Sequence, residues 1–307
     1  MIPFDDRDGW IWLDGAFVPW REARLHVCSH AMHYGSGVFE GERMYSGRIF
    51  ELGAHTSRLF KSAETLDFEI PFTEAEINAA SAEACARNGL EDCYVRPIAW
   101  RGAEQLSVSA LQTRTHVAIA VWDWPKYFDA AKLRRGIRLT WAKYRRPPAD
   151  AAPTSAKASG LYMICTISKN AAERAGYDDA LMLDSSGNVA ETTGANIFFV
   201  RDGVIYTPTP DCFLDGITRR TVIGLAQGKG LMVIETHIRP EDLATFSECF
   251  VTGTAAEVTP VAEIGAHTFK PGAITFDLME AYARRVTKPP AASQSATKSA
   301  VQDAVVA

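Results

Sequence analysis

The patterning of the chain breaks at Trp124-Pro125-Lys126-Tyr127, and this break does most to limit the fold. On both sides of it, short alternating segments bounded by glycine turns are mixed with stretches of helical periodicity. That combination predicts two α+β lobes rather than one continuous sheet or a helical bundle. The boundaries read as a small lobe at 1–124, a linker at 125–135, a larger lobe at 136–287 and a tail at 288–307. The tail, rich in Pro, Ala, Ser and Gln, has little to bury and is expected to be disordered. A chain of 307 residues, 47% hydrophobic and 22% charged, can supply a core to each lobe.

In the first lobe, residues 10–20 read as a hairpin about Asp14-Gly15, and residues 38–52 as a second about Ser46-Gly47. Helical spacing follows at 55–66. Thr73 and Glu76 form a capping-box pattern ahead of a helix that ends at Gly89. Strands return at 93–100 and 115–124. The second lobe begins with a strand at 137–144. A run of small residues, 151–160, then leads into a helix ending near Gly176. An antiparallel series is expected at 180–183, 189–191, 196–201 and 204–206. A helix opened by Gly216-Ile217-Thr218 comes next, then a strand at 231–238, a helix from Pro240, a strand at 248–252 and a helix at 274–286.

A net charge of −5 with scattered basic residues argues against a nucleic-acid or membrane surface. No apolar run approaches the length of a spanning helix, and the N-terminus has no signal-peptide pattern. Six cysteines without a Cys-x-x-Cys pair point to reduced thiols and a cytoplasmic protein.

Lys157 stands out because its neighbours, Thr154-Ser155-Ala156 and Ala158-Ser159-Gly160, are all small. Burial would lower its pKa and favour the free amine that carbonyl chemistry requires; local composition leaves a solvated lysine as the alternative. Glu191 closes a predicted strand ahead of Thr192-Thr193-Gly194, where backbone can approach a ligand closely. Three pieces could hold a phosphate: the helix start at Ile217 and Thr218, the turn Gly253-Thr254-Ala255-Ala256, and Arg58 on an apolar helix face. Each also fits an ordinary cap or turn. His26, His30 and His33 have helical metal-ligand spacing, but no carboxylate completes the set, and a polar loop is the preferred reading. Gly-x-Ser-x-Gly, Gly-x-Gly-x-x-Gly and P-loop motifs are absent.

In order along the chain, seven segments carry a resemblance: residues 33–43 (His-Tyr-Gly-Ser-Gly-Val-Phe-Glu-Gly-Glu-Arg), 55–59, Tyr94-Val95-Arg96-Pro97, Ala156-Lys157-Ala158, Ala190-Glu191, Gly216-Ile217-Thr218-Arg219 and 252–260. Over residues 10–286 the sequence resembles the fold type IV pyridoxal phosphate enzymes, specifically the branched-chain amino acid aminotransferases. The resemblance implies pyridoxal 5'-phosphate as cofactor. Lys157 would bind its aldehyde and act as general acid/base, Glu191 would face its ring nitrogen, and Tyr162 its phenolic oxygen. Arg58, Ile217, Thr218 and Thr254 would hold its phosphate. It also implies an aromatic substrate pocket of Tyr34, Phe39, Tyr94, Trp124 and Tyr127, with Arg43 and Arg96. Arg96 would admit the second carboxylate of glutamate or 2-oxoglutarate, and Thr254, Ala255 and Ala256 would receive the substrate carboxylate. The implied partners are amino acids, 2-oxo acids and a second copy of the chain, in a homodimer or larger homo-oligomer. The alternatives are an (R)-amine or D-amino acid transaminase on this fold, a His-cluster metal protein, and a non-catalytic paralogue. No Arg-x-His carboxylate trap of the D-amino acid enzymes follows the Tyr94 strand.

Overall fold

Asp14 and Gly15 both take positive φ, 48° and 96°, and so turn β1 (Trp10–Leu13) straight back onto β2 (Ala16–Pro19). The computed structural model describes residues 2–124 and 129–287; the expected tail and the middle of the expected linker lie outside that range. After β2 come α1 (His30–Tyr34), β3 (Gly37–Phe39), β4 (Glu42–Tyr45) and β5 (Arg48–Ile49). Two helices follow, α2 (Leu52–Thr65) and α3 (Glu74–Arg87), the second opened by the Thr73–Glu76 capping box. Then β6 (Cys93–Arg101) and β7 (Thr115–Asp123) complete a seven-stranded sheet, ordered β2-β1-β7-β6-β4-β5, with β3 also on β6.

This sheet has two different faces, because side chains alternate along each strand. Val38, Met44, Cys93, Val95, Val117, Ile119 and Val121 pack with Leu59 and Ala63 of α2 and Ile77 and Ala84 of α3. The residues between them, Phe39, Arg43, Tyr94, Arg96 and Trp122, fall on the opposite face. The expected hairpin about Ser46-Gly47 is formed by β4 and β5, but its first arm, 38–45, is split into β3 and β4, both paired to β6 and interrupted at Glu40-Gly41. A Cβ on Gly41 would lie 2.0 Å from the Tyr94 hydroxyl, so a larger residue at the interruption would displace the Tyr94 ring.

The second lobe contains α4 (Ala130–Arg135), β8 (Ile137–Trp141), α5 (Tyr162–Arg174), β9 (Asp179–Leu183), β10 (Val189–Thr192), β11 (Asn196–Arg201) and β12 (Val204–Pro208). It continues through α6 (Ile217–Gly228), β13 (Val233–Thr236), β14 (Glu248–Gly253), β15 (Glu257–Ile264), β16 (His267–Thr268) and α7 (Ala273–Thr287). Its strands run in the order β10-β9-β8-β15-β14-β11-β12-β13, with β16 on β15. β10 also pairs with β11, so the sheet closes on itself, and the closing pair is Glu191 opposite Asn196. A shared core joins the lobes, with Tyr45 and Phe50 of the first packed among Phe198, Phe250, Leu278 and Tyr282 of the second.

Further features of this lobe depart from the sequence expectation. Residues 130–135, read as linker, form α4, capped by the Asp129 carboxylate on the Lys132 N–H. The helix expected from Pro240 is a 3-10 turn, Pro240–Thr245. β15 was not expected at all, yet it lies at the centre of the larger sheet.

Candidate active site

Lys157 lies where the two lobes meet. Its N–H donates to Ser62 Oγ on α2 (3.0 Å), and its carbonyl accepts from the Phe39 N–H (3.2 Å). Ala158 forms a bridge to Val38, so the lysine segment runs along the edge of β3. Ala156 and Ala158 are buried, which explains the small neighbours: larger side chains would push the lobes apart. Lys157 Nζ donates to Tyr162 Oη at 2.8 Å and lies 5.1 Å from the Phe39 ring centroid. Burial works to lower its pKa, as the sequence suggested, and Arg58 adds to that. Tyr162 and Glu40 more than offset both, so the chain's own groups hold this amine above the ordinary lysine range. Burial alone was therefore the wrong basis for expecting a free amine.

Arg58 has a carboxylate partner that local sequence did not reveal. Its Nε and Nη2 donate to Glu40 Oε1 and Oε2 at 2.7 and 2.8 Å, and His55 Nδ1 lies 2.7 Å from Glu40 Oε2. Burial pushes the Glu40 carboxyl up, but Arg58, by charge and hydrogen bond, together with His55, brings it down to about 2. Glu40 thus fixes the guanidinium in the cleft wall and leaves Nη1 for a further anion.

Glu191 is held from two sides. Asn196 Nδ2 donates to its Oε2 at 3.4 Å, and Arg146 Nε lies 3.4 Å from Oε1. Burial raises the Glu191 carboxyl to about 7, against the pull of Arg146 and Lys157. Asn196 also donates to the Leu214 carbonyl, tying Glu191 to the loop before α6. A Cβ on Gly216 would meet Asn196 Oδ1 at 2.3 Å, so a larger residue there would displace the amide that holds Glu191. Ile217 and Thr218 form the first turn of α6, whose N–H groups have no partners in the helix and favour an anion.

These groups line one cleft of about 620 Å³, counted with its open mouth: Arg58, Arg146, Lys157, Tyr162, Glu191, Ile217, Thr218 and Thr254 all reach it. It combines an amine, a carboxylate about to titrate, an arginine and a helix N-terminus. The hydroxyl of Thr252, also in the lining, is buried without a hydrogen-bond partner. A flat, ring-bearing phosphate with an aldehyde and a basic ring nitrogen matches this donor set.

The predicted substrate residues are partly gathered. Arg96 lies over the rings of Phe39, Tyr94 and Trp122 at 4.8, 5.3 and 5.9 Å, and its Nε is buried without a partner. Phe39 packs on Tyr162 at 4.9 Å, and Trp124 on Tyr94 at 4.6 Å. Arg43 instead reaches the second lobe: its Nη1 donates to Glu257 Oε1 at 2.8 Å, and the Tyr45 hydroxyl donates to the same oxygen at 2.9 Å. Thr254 lines the cleft, whereas Ala255 and Ala256 follow at the far end of the turn, with Ala256 packed on the core of the second lobe. Tyr34, 47% exposed, stacks on His30 outside the cleft lining. Tyr127 lies outside the described residues. His30 contacts Ser36 Oγ and the Ser107 carbonyl, His33 the Val27 carbonyl, and His26 accepts from the Cys28 N–H, so the three rings turn to separate partners.

Sequence reading missed Glu40, Ser62, Arg146 and Trp122. Only Trp122 left a local signal, since the alternation of β7 puts it on the face of Tyr94, its register partner.

A two-lobed α+β fold that brings an amine, a buried carboxylate, an arginine and a helix N-terminus into one cleft fits a class of cofactor-dependent transferase. The family model for amino-transferase class IV matches residues 37–264, and the chain belongs to that family, whose cofactor is pyridoxal 5'-phosphate. Within it, the chain is 42% identical over 284 residues to a branched-chain-amino-acid aminotransferase of Pseudomonas aeruginosa, covering 90% of this chain and 92% of the other. It also matches a T.th. branched-chain amino acid aminotransferase solved with pyridoxamine 5'-phosphate, with a TM-score of 0.89 and 42% identity over 92% of this chain and 95% of that one. The same enzyme complexed with N-(5'-phosphopyridoxyl)-L-glutamate matches with a TM-score of 0.87 at the same identity and coverage.

Proposed function

We propose that this chain transfers the amino group of L-leucine, L-isoleucine or L-valine to 2-oxoglutarate by a ping-pong mechanism, as a cytoplasmic homodimer. Bound pyridoxal phosphate supplies the electron sink that makes proton loss from the substrate Cα accessible. Lys157 Nζ, beside Tyr162 Oη, is the group that takes and returns that proton. Glu191 faces the ring nitrogen. Arg58, braced by Glu40, anchors the phosphate with the N–H groups of Ile217 and Thr218 and the Thr254 hydroxyl. The turn at residues 253–256 receives the substrate carboxylate, with Arg43 holding that turn through Glu257.

The observation that carries the substrate assignment is Arg96 set among three aromatic rings with a buried, unpartnered Nε. Phe39, Tyr94 and Trp122 give an aliphatic side chain an apolar wall. The guanidinium, unable to lose its charge, answers a second carboxylate on the same face. The glutamate adduct bound by the T.th. relative supports this pairing.

Each half-reaction can be followed alone through the cofactor's visible absorbance. L-leucine should convert the wild-type cofactor to its amine form, and 2-oxoglutarate should restore it. In Arg96→Ala the 2-oxoglutarate step should slow by about a hundredfold, the cost of a buried carboxylate losing its charged partner, with the leucine step within a few-fold. Equal losses in both steps would remove Arg96 from this role, and a cofactor converted only by an (R)-amine or a D-amino acid would overturn the substrate assignment.

A further inference from the structure

Arg146 is 5% exposed and forms no ion pair among the described residues except with Glu191, yet the proposed chemistry gives it no task. Its N–H donates to the Leu183 carbonyl at 2.8 Å, which fixes its backbone at the cleft. Its Nε lies 3.4 Å from both Glu191 Oε1 and the Cys212 carbonyl, and Nη1 lies 3.6 Å from Cys165 Sγ. We propose that Arg146 is a positioning residue that biases the proton between Glu191 and the cofactor's ring nitrogen toward the ring. The inference rests on the assignment of Glu191 to that nitrogen.

A carboxylate against a protonated pyridine and a carboxylic acid against a neutral pyridine differ only in where one proton resides. Both carry the same total charge, so the local field decides between them. A guanidinium cannot shed its charge in a protein. Arg146 touches the carboxylate itself and so acts on it at shorter range than on any group the carboxylate binds, which favours the ionised acid and the protonated ring. The need is real: burial already brings Glu191 to about 7 with Arg146 present. Without that charge, the acid would keep the proton and the ring would lose much of its electron-withdrawing power.

The alternative is that Arg146 merely pins the Cys212 carbonyl. The variant Arg146→Gln keeps a donor for that carbonyl and removes the charge, and Arg146→Lys keeps the charge. The readout is the ring-nitrogen chemical shift of holoenzyme loaded with nitrogen-15-labelled pyridoxal phosphate, with no substrate present. Wild type and Arg146→Lys should show a protonated-ring shift, and Arg146→Gln a shift moved toward neutral pyridine. Turnover of Arg146→Gln should fall at least about tenfold, the equivalent of one pKa unit. If Arg146→Gln keeps the wild-type shift while Glu191→Gln loses it, the proposal is overturned and the Glu191 assignment stands. A Glu191→Gln shift equal to wild type removes that assignment, and the proposal with it. Should Arg146→Gln fail to fold, Arg146→Met against Arg146→Lys makes the same comparison.

Discussion

A carboxyl group buried without a hydrogen-bond partner keeps its proton, because ionising it in an apolar core is far costlier than in water. Glu42 is in that position: it is 0% exposed, and neither side-chain oxygen has a partner. Burial, then repulsion from Glu40, raise it well above the ordinary carboxylate range against the opposing pull of Arg58. The folded chain therefore holds a proton that the unfolded chain releases, and stability falls as pH rises from the ordinary glutamate value toward the raised one. The slope from this one group reaches about 1.4 kcal/mol per pH unit. Glu42→Gln has no proton to lose, so its unfolding midpoint in urea should gain on wild type as pH rises above the ordinary glutamate value; profiles that stay parallel would show that Glu42 does not titrate in this way. Residues of this kind mark the limit of sequence reading. Lys157, Glu191 and Arg58 each have an unusual local setting, such as small neighbours, a strand end or an apolar helix face, but each setting also fits an ordinary residue, and their expected roles came from the ordered motifs of the resemblance. Glu40 and Arg146 work through partners 18 and 45 positions away, respectively, and no local window contains those pairs.

At the scale of elements, the lysine segment behaves as an added edge strand of the small lobe, held by Val38, by the Phe39 N–H and by Ser62. Ser62 is the one side chain in that set. Ser62→Ala improves the intrinsic propensity of α2 by a few tenths of a kcal/mol but leaves the Lys157 N–H buried and unpaired, which costs about 1–3 kcal/mol. Thermal unfolding of the holoenzyme should therefore drop by several degrees, with weaker cofactor retention on dialysis. An unchanged melting temperature would show that the hydroxyl is dispensable. Most elements could be read from the sequence because their signals are local: the Asp14-Gly15 turn, the Thr73–Glu76 cap, and the alternation of β6 and β7. β15 could not. Pro260 sits in its middle and argues against a central strand, because proline cannot donate to a ladder. The chain accommodates it as the last residue of the antiparallel pairing with β14, since parallel pairing with β8 begins at Val261 and carries a register irregularity between Val261 and Glu263. Only the tertiary arrangement shows that option.

At the scale of the whole molecule, one surface is more apolar than a solitary chain needs. Val27, Met32 and Tyr34 are exposed on one segment, and Leu106, Val108 and Leu111 on another, the last two 85% and 83% exposed. His30 ties the two segments together through the Ser107 carbonyl, so both present apolar side chains on the same side of the small lobe. In a symmetric dimer the same patch serves both copies, and a residue useless to its own cleft can complete the partner's. Tyr34 suits that role, since it is 47% exposed on this surface although the resemblance places it in the substrate pocket. Lys157→Ala chains supply Tyr34 but no base, and Tyr34→Ala chains supply the base but no tyrosine. Each homodimer alone should turn over slowly. If the two are mixed, unfolded and refolded with cofactor, half the dimers are mixed, and each of those holds one complete site. Turnover should then recover to roughly a quarter of wild type. A mixture no faster than the average of its components would mean that Tyr34 serves its own chain or none, and the partner-completed cleft would have to be abandoned.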